Sequence, residues 1–234
     1  MEPLMDFIAT FGVFIVGLAL RALAFVAILA ALSAPLLLLI GGVEGLARVR
    51  RRLLGVQKLG HLFWRPGLFY APGHTWIEPT RGRSLKIGVD DLAQRLLPGR
   101  ARVSLPSPGT VVRRGDPVTT VRADGEETWI PSPVSGTVTA VNRAIGRDPS
   151  LLHRDPYVRG WLFRVRPSDT AYEELPRAEP ARRWFVSETL RLERMLEREL
   201  GYAAADGGEL VLPAHALLGA GRWRQLTDAF LHAS

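Results

Sequence analysis

The sequence predicts a mainly β domain, a small barrel or sandwich, preceded by a transmembrane helix and followed by a helical extension. Three observations predict this. From about Phe69 to Arg166, short runs of β-branched and aromatic residues alternate with Gly, Pro and Asp. Between Phe7 and Val43 the only ionisable residue is Arg21. From Ser168 onward the chain is charged, with apolar residues recurring at helical spacing. Four regions follow: an anchor over 1–43, a basic juxtamembrane linker over 44–68, the β-domain over 69–170 and the helical extension over 171–234.

The anchor is read from the stretch Ala22–Val43, which by itself is long enough to cross roughly 30 Å of hydrocarbon. It is too long for the apolar core of a secretory signal, and its basic residues follow it instead of preceding it. A tilted single helix, a span with an interfacial segment and a tight hairpin all fit the full apolar length. Pro35 would kink the helix unless neighbours satisfy the freed carbonyl. Arg21 lies at the outer end of the span. It either snorkels to the headgroups or pairs with an acidic residue of a membrane partner. Arg48, Arg50, Arg51, Arg52 and Lys58 come just after the span, and the positive-inside bias then puts the C-terminal bulk in the cytoplasm. The expected location is therefore the cytoplasmic (inner) membrane with a single pass, and Arg48 to Arg52 lie at anionic headgroups.

Within the β-domain, "HTWIEP", "SLKIGV", "ARVSLP", "GTVVRRGD", "PVTTVRA", "ETWIPSP", "SGTVTAV" and "GWLFRV" read as short strands. Asp124-Gly125 is a tight-turn signal between two of them. "DDLAQRLLPG" reads as one short helix capped by Asp90 or Asp91, and another short helix follows Asn142. "PSPGTVVRRGDPV" and "PSPVSGTVTAVNR" share a Pro-turn-Gly-Thr-Val beginning, as two hairpin halves about a pseudo-dyad would. In the extension, Phe185, Thr189, Leu192, Leu196 and Leu200 form one stripe of a helix, broken at Gly201 or at Gly207-Gly208. That stripe fits packing on the β-domain and docking of a partner equally well.

Composition excludes several chemistries. With no Cys there is no disulfide, thiolate nucleophile or Cys-ligated metal. His61, His74, His153, His215 and His232 show no metal-ligand spacing, so no metal site is expected. Ser135 in "PVSGTV" is a turn residue outside any G-x-S-x-G elbow, and "GAGRWRQ" matches neither a phosphate loop nor a dinucleotide fingerprint. Asp90 and Asp91 read as helix-capping residues and His74 as structural. No catalytic residue is expected, and the chain is not read as an enzyme. The net charge of +7 comes mostly from arginine. Arg113, Arg114, Arg122, Arg143 and Arg147 form a basic face, read as solvated charge or as a lipid- or nucleotide-binding surface. No recognition-helix or aromatic-interleaved RNA pattern occurs, so nucleic acid is not an expected partner.

"YAPGHTWIEP", "IGVDDLAQRLLPG", "VSLPSPGTVVRRGDPV", "PVSGTVTAVN" and "DPYVRGWLFRV" together resemble the H protein of the glycine cleavage system over residues 70–166. The resemblance implies the hybrid barrel-sandwich of lipoyl and biotinyl carriers. It also implies a hairpin whose tip lysine carries a lipoyl arm through an amide. From Gly115-Asp116 to Pro133-Val134-Ser135-Gly136 the spacing fits without a gap, and the lysine position falls on Gly125. The chain has only Lys58 and Lys86, neither of them near that hairpin in sequence. No cofactor-binding residue and no cofactor are therefore expected. The expected function is a non-lipoylated, membrane-anchored scaffold or interaction subunit of a membrane complex. Its partners are the membrane, other protein subunits and anionic lipid, with Arg21, Arg48, Arg50, Arg51 and Arg52 as contacts. The alternatives are an adaptor of the membrane-fusion type and a basic lipid- or protein-binding module.

Overall fold

The computed structural model describes residues 15, 17, 18, 20–29, 32, 33, 54–198 and 214–232. The described N-terminal residues are helical and belong to a unit of their own, residues 1–53. Leu18, Leu20, Leu23, Phe25, Val26, Ile28, Leu29 and Leu32 are all exposed, and at helical spacing they point in every direction around the axis. Arg21 is exposed among them. Among the described residues no helix is long and apolar enough to cross a membrane. The expected span runs on into residues outside the described ones, and Arg48, Arg50, Arg51 and Arg52 lie outside them entirely.

The second unit begins at Leu54, inside the stretch expected to be a linker. Two short strands, β1 (Gln57–Leu59) and β2 (Leu62–Trp64), form a hairpin there, with Gly60 at φ 59° in the turn. Leu62 and Trp64 are buried in the domain core, so the basic linker expected over 44–68 stops short of this hairpin. "HLFW" is apolar enough to be core, and its basic surroundings masked that in the sequence.

Next come β3 (Phe69–Ala71), β4 (Thr75–Thr80), β5 (Ser84–Val89), β6 (Arg102–Ser104), β7 (Val111–Val112), β8 (Pro117–Ala123), β9 (Glu126–Pro131), β10 (Gly136–Val141) and β11 (Trp161–Pro167). A six-stranded antiparallel sheet runs β3-β4-β5-β11-β10-β7, and a three-stranded sheet runs β6-β8-β9. Period-2 alternation builds the sandwich. Leu85, Ile87, Val138, Phe163 and Val165 from the first sheet and Val121 and Ile130 from the second are fully buried in one core. The two similar segments noted in the sequence lie side by side. β7 and β10 pair antiparallel, with Val111 opposite Thr137, and their turns exchange Gly109 N–H to Val138 O (2.8 Å) and Val138 N–H to Thr110 O (2.9 Å). Two alike segments paired antiparallel are related by a local dyad, as the duplication implied.

The short helix α1 (Asp91–Leu96) starts at Asp90, whose Oδ1 accepts from Leu92 N and Ala93 N. α2 (Arg143–Arg147) is capped by Asn142, which also ties down Arg159 O and Trp161 O, and α3 (Leu151–Arg154) follows. The extension contains α4 (Ala178–Arg198) and α5 (Ala214–Phe230). Phe185, Leu192 and Leu196 are buried as the stripe required, while Leu200 and the expected helix breaks lie outside the described residues. Both helices pack on the β-domain. Phe185 meets the Tyr70 ring edge-on at 5.7 Å, and Trp223 Nε1 donates to Leu96 O at 2.7 Å.

Candidate functional site

The β8–β9 hairpin is the candidate site. Its two-residue turn places Asp124 at φ 51° and Gly125 at φ 81°. Consecutive left-handed residues match the twist of an antiparallel pair, and this is what Asp-Gly supplies. The register confirms the turn: Ala123 faces Glu126, Arg122 faces Glu127 and pairs with it, and Val121 faces Thr128. No heavy atom lies within 4 Å of a Cβ placed on Gly125. A side chain there would project into open space, yet the position has none. Asp124 and Gly125 offer no primary amine for an amide link. Lys58 sits on β1, and Lys86 sits mid-strand on β5, paired with Glu78 and 5.8 Å from the Trp76 ring centre. The residues present do not fit an amide-linked lipoyl group at the tip.

The C-terminal helix braces this hairpin along β9. Arg224 reaches Glu126 just past the tip (3.3 Å). Midway, the His232 ring stacks on Trp129 at 3.9 Å and 3°, and its Nε2 lies 3.2 Å from Thr128 Oγ1. Asp228 Oδ1 orients the same ring from Nδ1 at 2.8 Å. At the base, Gly73 is required: a Cβ there would sit 2.6 Å from Leu231 O and 2.9 Å from Pro131 Cγ.

Behind the brace lies a buried charge cluster. His74 Nδ1 donates to Asp90 Oδ2 at 2.9 Å, and Nε2 faces Glu188 Oε2 at 3.6 Å. Trp184 covers the ring at a centroid distance of 5.0 Å, and Phe230 lies at 5.9 Å. Burial opposes the charge on His74, but the field of Asp90 and its hydrogen bonds to Asp90 and Glu188 prevail, and its pKa is pushed up to about 9. In turn the hydrogen bond from His74 holds the Glu188 carboxyl below the usual carboxylate range. With both ring nitrogens engaged and the side chain only 1% exposed, His74 acts as a structural imidazolium joining α1, α4 and α5. Asp90 and His74 were legible in the sequence. Glu188 was not, because nothing in a charged helix marks which carboxylate turns inward.

The expected basic face is distributed over several elements. Arg113 and Arg114 are in the β7–β8 turn, Arg122 is on the hairpin paired with Glu127, and Arg143 and Arg147 are on α2. Among the described residues no group of His, Asp and Glu is placed to hold a metal ion.

A two-sheet sandwich with an open hairpin tip fits a domain of the lipoyl-carrier type, extended here by two helices. The glycine cleavage H-protein family model matches residues 68–187, and the chain belongs to that family. It is 38% identical to the glycine cleavage system H protein of Thermus thermophilus over 101 residues, covering 43% of this chain and 78% of the relative. It is 39% identical to that of a Shewanella species (strain ANA-3) over 102 residues, 44% of this chain and 79% of the relative. A crystal structure of a glycine cleavage system H protein from Mycobacterium marinum is similar with 28% identity and a TM-score of 0.42, covering 46% of this chain and 88% of that one.

Proposed function

We propose that this chain is a non-lipoylated, membrane-anchored H-protein-like subunit that holds other protein subunits at the cytoplasmic face of a membrane. One observation carries the reading: the hairpin tip is Asp124-Gly125, open to solvent and without an amine. The domain then serves as a recognition surface and not as a carrier. The brace supports this, since Arg224 and His232 fix β9 against α5 where a delivery arm works best unencumbered. Anchoring is supported by the apolar helix exposed all round its axis and by the basic residues behind it, Arg48, Arg50, Arg51 and Arg52. Arg21 and these four arginines are the proposed contacts to headgroups or to an acidic membrane partner.

The chain is expressed with a lipoate ligase and free lipoate, and its intact mass is measured. The expected mass is that of the bare polypeptide. A lipoyl increment on Lys58 or Lys86 would overturn the reading. Purification from native membranes in mild detergent tests the second half: stoichiometric membrane partners are expected, and a chain that purifies alone removes the scaffold role.

A further inference from the structure

The six-stranded sheet has two faces: one lines the core, and the other is buried at its β3–β4 end, where Tyr70 and Trp76 lie, and open toward β10 and β7. Along the other, register brings Val111, Thr137 and Arg166 into one row, and Arg164, Lys86 and Glu78 into the next. Val111 is 75% exposed, and Thr137, Arg164 and Arg166 are exposed with it. The charge on this face is one-sided. Glu78, its one carboxylate in these rows, is taken up by Arg65 at 2.9 Å and by Lys86. Arg164 and Arg166 have no carboxylate partner among the described residues. Arg164 lies over the partly buried Trp161 ring at 5.1 Å. Arg113 and Arg114, both exposed, follow Val111 at the β7 edge.

We propose that this face, with Arg164, Arg166, Arg113 and Arg114 around Val111 and Trp161, lies on an anionic phospholipid surface. The exposed part is an open strip across β7, β10 and β11, which suits a surface of repeated phosphates better than one enclosed ligand. Guanidinium groups beside a tryptophan and an exposed valine are the composition of the bilayer interface, where arginine pairs bidentately with phosphate and the ring sits among headgroups. Chain length adds a second argument. Only ten residues, 44–53, separate the apolar segment from the domain in sequence, a short tether. At that tether length a weak surface contact becomes intramolecular and persists. The inference rests on the anchor reading above and deepens it.

The absence of cysteine makes single-cysteine labelling clean. Thr137→Cys on the face and Ser104→Cys on the outer side of β6 are each labelled with a fluorophore in the full chain. The chains are placed in nanodiscs of phosphatidylcholine with or without phosphatidylglycerol, carrying a headgroup quencher. Quenching is expected for the Thr137→Cys label only, and only with phosphatidylglycerol. Adding Arg164→Ala and Arg166→Ala should lower the ratio of bound to free domain about 25-fold, from about fivefold per arginine. Both arginines point to solvent, so unchanged melting of this variant separates lost contact from lost fold. An unquenched Thr137→Cys label, or equal quenching of the Ser104→Cys label, overturns the proposal. Protection of the Thr137→Cys label by an acidic polypeptide instead of lipid also overturns it and gives the face to a protein. If the chain stays out of the discs, the anchor reading is what fails. Added phosphatidylglycerol vesicles then test the face directly, and a Thr137→Cys label that those vesicles leave unquenched overturns it as well.

Discussion

Deprotonating His74 should loosen the attachment of both C-terminal helices. The imidazolium bridges Asp90 at the α1 cap and Glu188 on α4, under Trp184 and Phe230. Its pKa is raised from 6.5 to about 9, so the folded state binds this proton more tightly than the unfolded chain. The stabilisation is fully present below pH 6.5 and is lost as the pH rises through about 9. Its full size is roughly 3 kcal/mol, the free-energy equivalent of the gap between the two pKa values. Glu188 carries the opposite sign: its lowered pKa gives stability that is lost only as the pH falls through its acid range. The assay is urea unfolding of the detergent-solubilised full chain at about pH 6 and about pH 9.5. Wild type should lose most of that roughly 3 kcal/mol across the window, while His74→Gln should begin lower and change little. Glu188→Gln should move the loss to lower pH. Equal pH dependence in wild type and His74→Gln would refute the reasoning.

Two further perturbations test the packing. Gly88→Ala would put a Cβ 2.4 Å from Trp76 Cζ2, against a fully buried ring with nowhere to move; a loss of about 2–4 kcal/mol is expected in thermal melts, and an unchanged melt contradicts the packing described. Trp223→Phe keeps an aromatic ring but removes the donor to Leu96 O and leaves part of the buried indole volume unfilled, together costing about 2–4 kcal/mol. Hydrogen exchange should then rise in α5 before it rises in the β-sheets.

What the sequence displayed depended on how local its cause was. Asp124-Gly125, the Asp90 and Asn142 caps and the Phe185–Leu196 stripe each follow from a few neighbouring residues, and the structure has all of them. The β1–β2 hairpin was hidden, because a three-residue strand shows too little alternation to stand out beside a basic cluster. The brace was hidden for a different reason. The stacking of His232 on Trp129 joins residues far apart in the chain through the turn that follows α5, and no periodicity encodes such a pair. The site was half legible: the turn could be read from Asp124-Gly125 and its place as the tip from the family resemblance, whereas what holds the arm could not.

The brace also restricts how a partner can approach the hairpin. A two-stranded ribbon normally offers both flanks, but here Arg224 and His232 engage β9 at Glu126, Thr128 and Trp129. On the other flank β8 pairs with β6, so that edge is closed to strand addition, and a strand added along β9 would have to displace Arg224 and His232. What stays open is the tip at Asp124-Gly125 and the outer side, where Arg102 lies opposite Arg122 and Arg122 opposite Glu127. A protein that grips this domain by the hairpin and leaves the brace in place does so through side chains at the tip and outer side. Of those side chains Arg102 alone has no partner among the described residues, whereas the charge of Arg122 is already met by Glu127. That asymmetry favours an acidic group on the partner facing the β6 side.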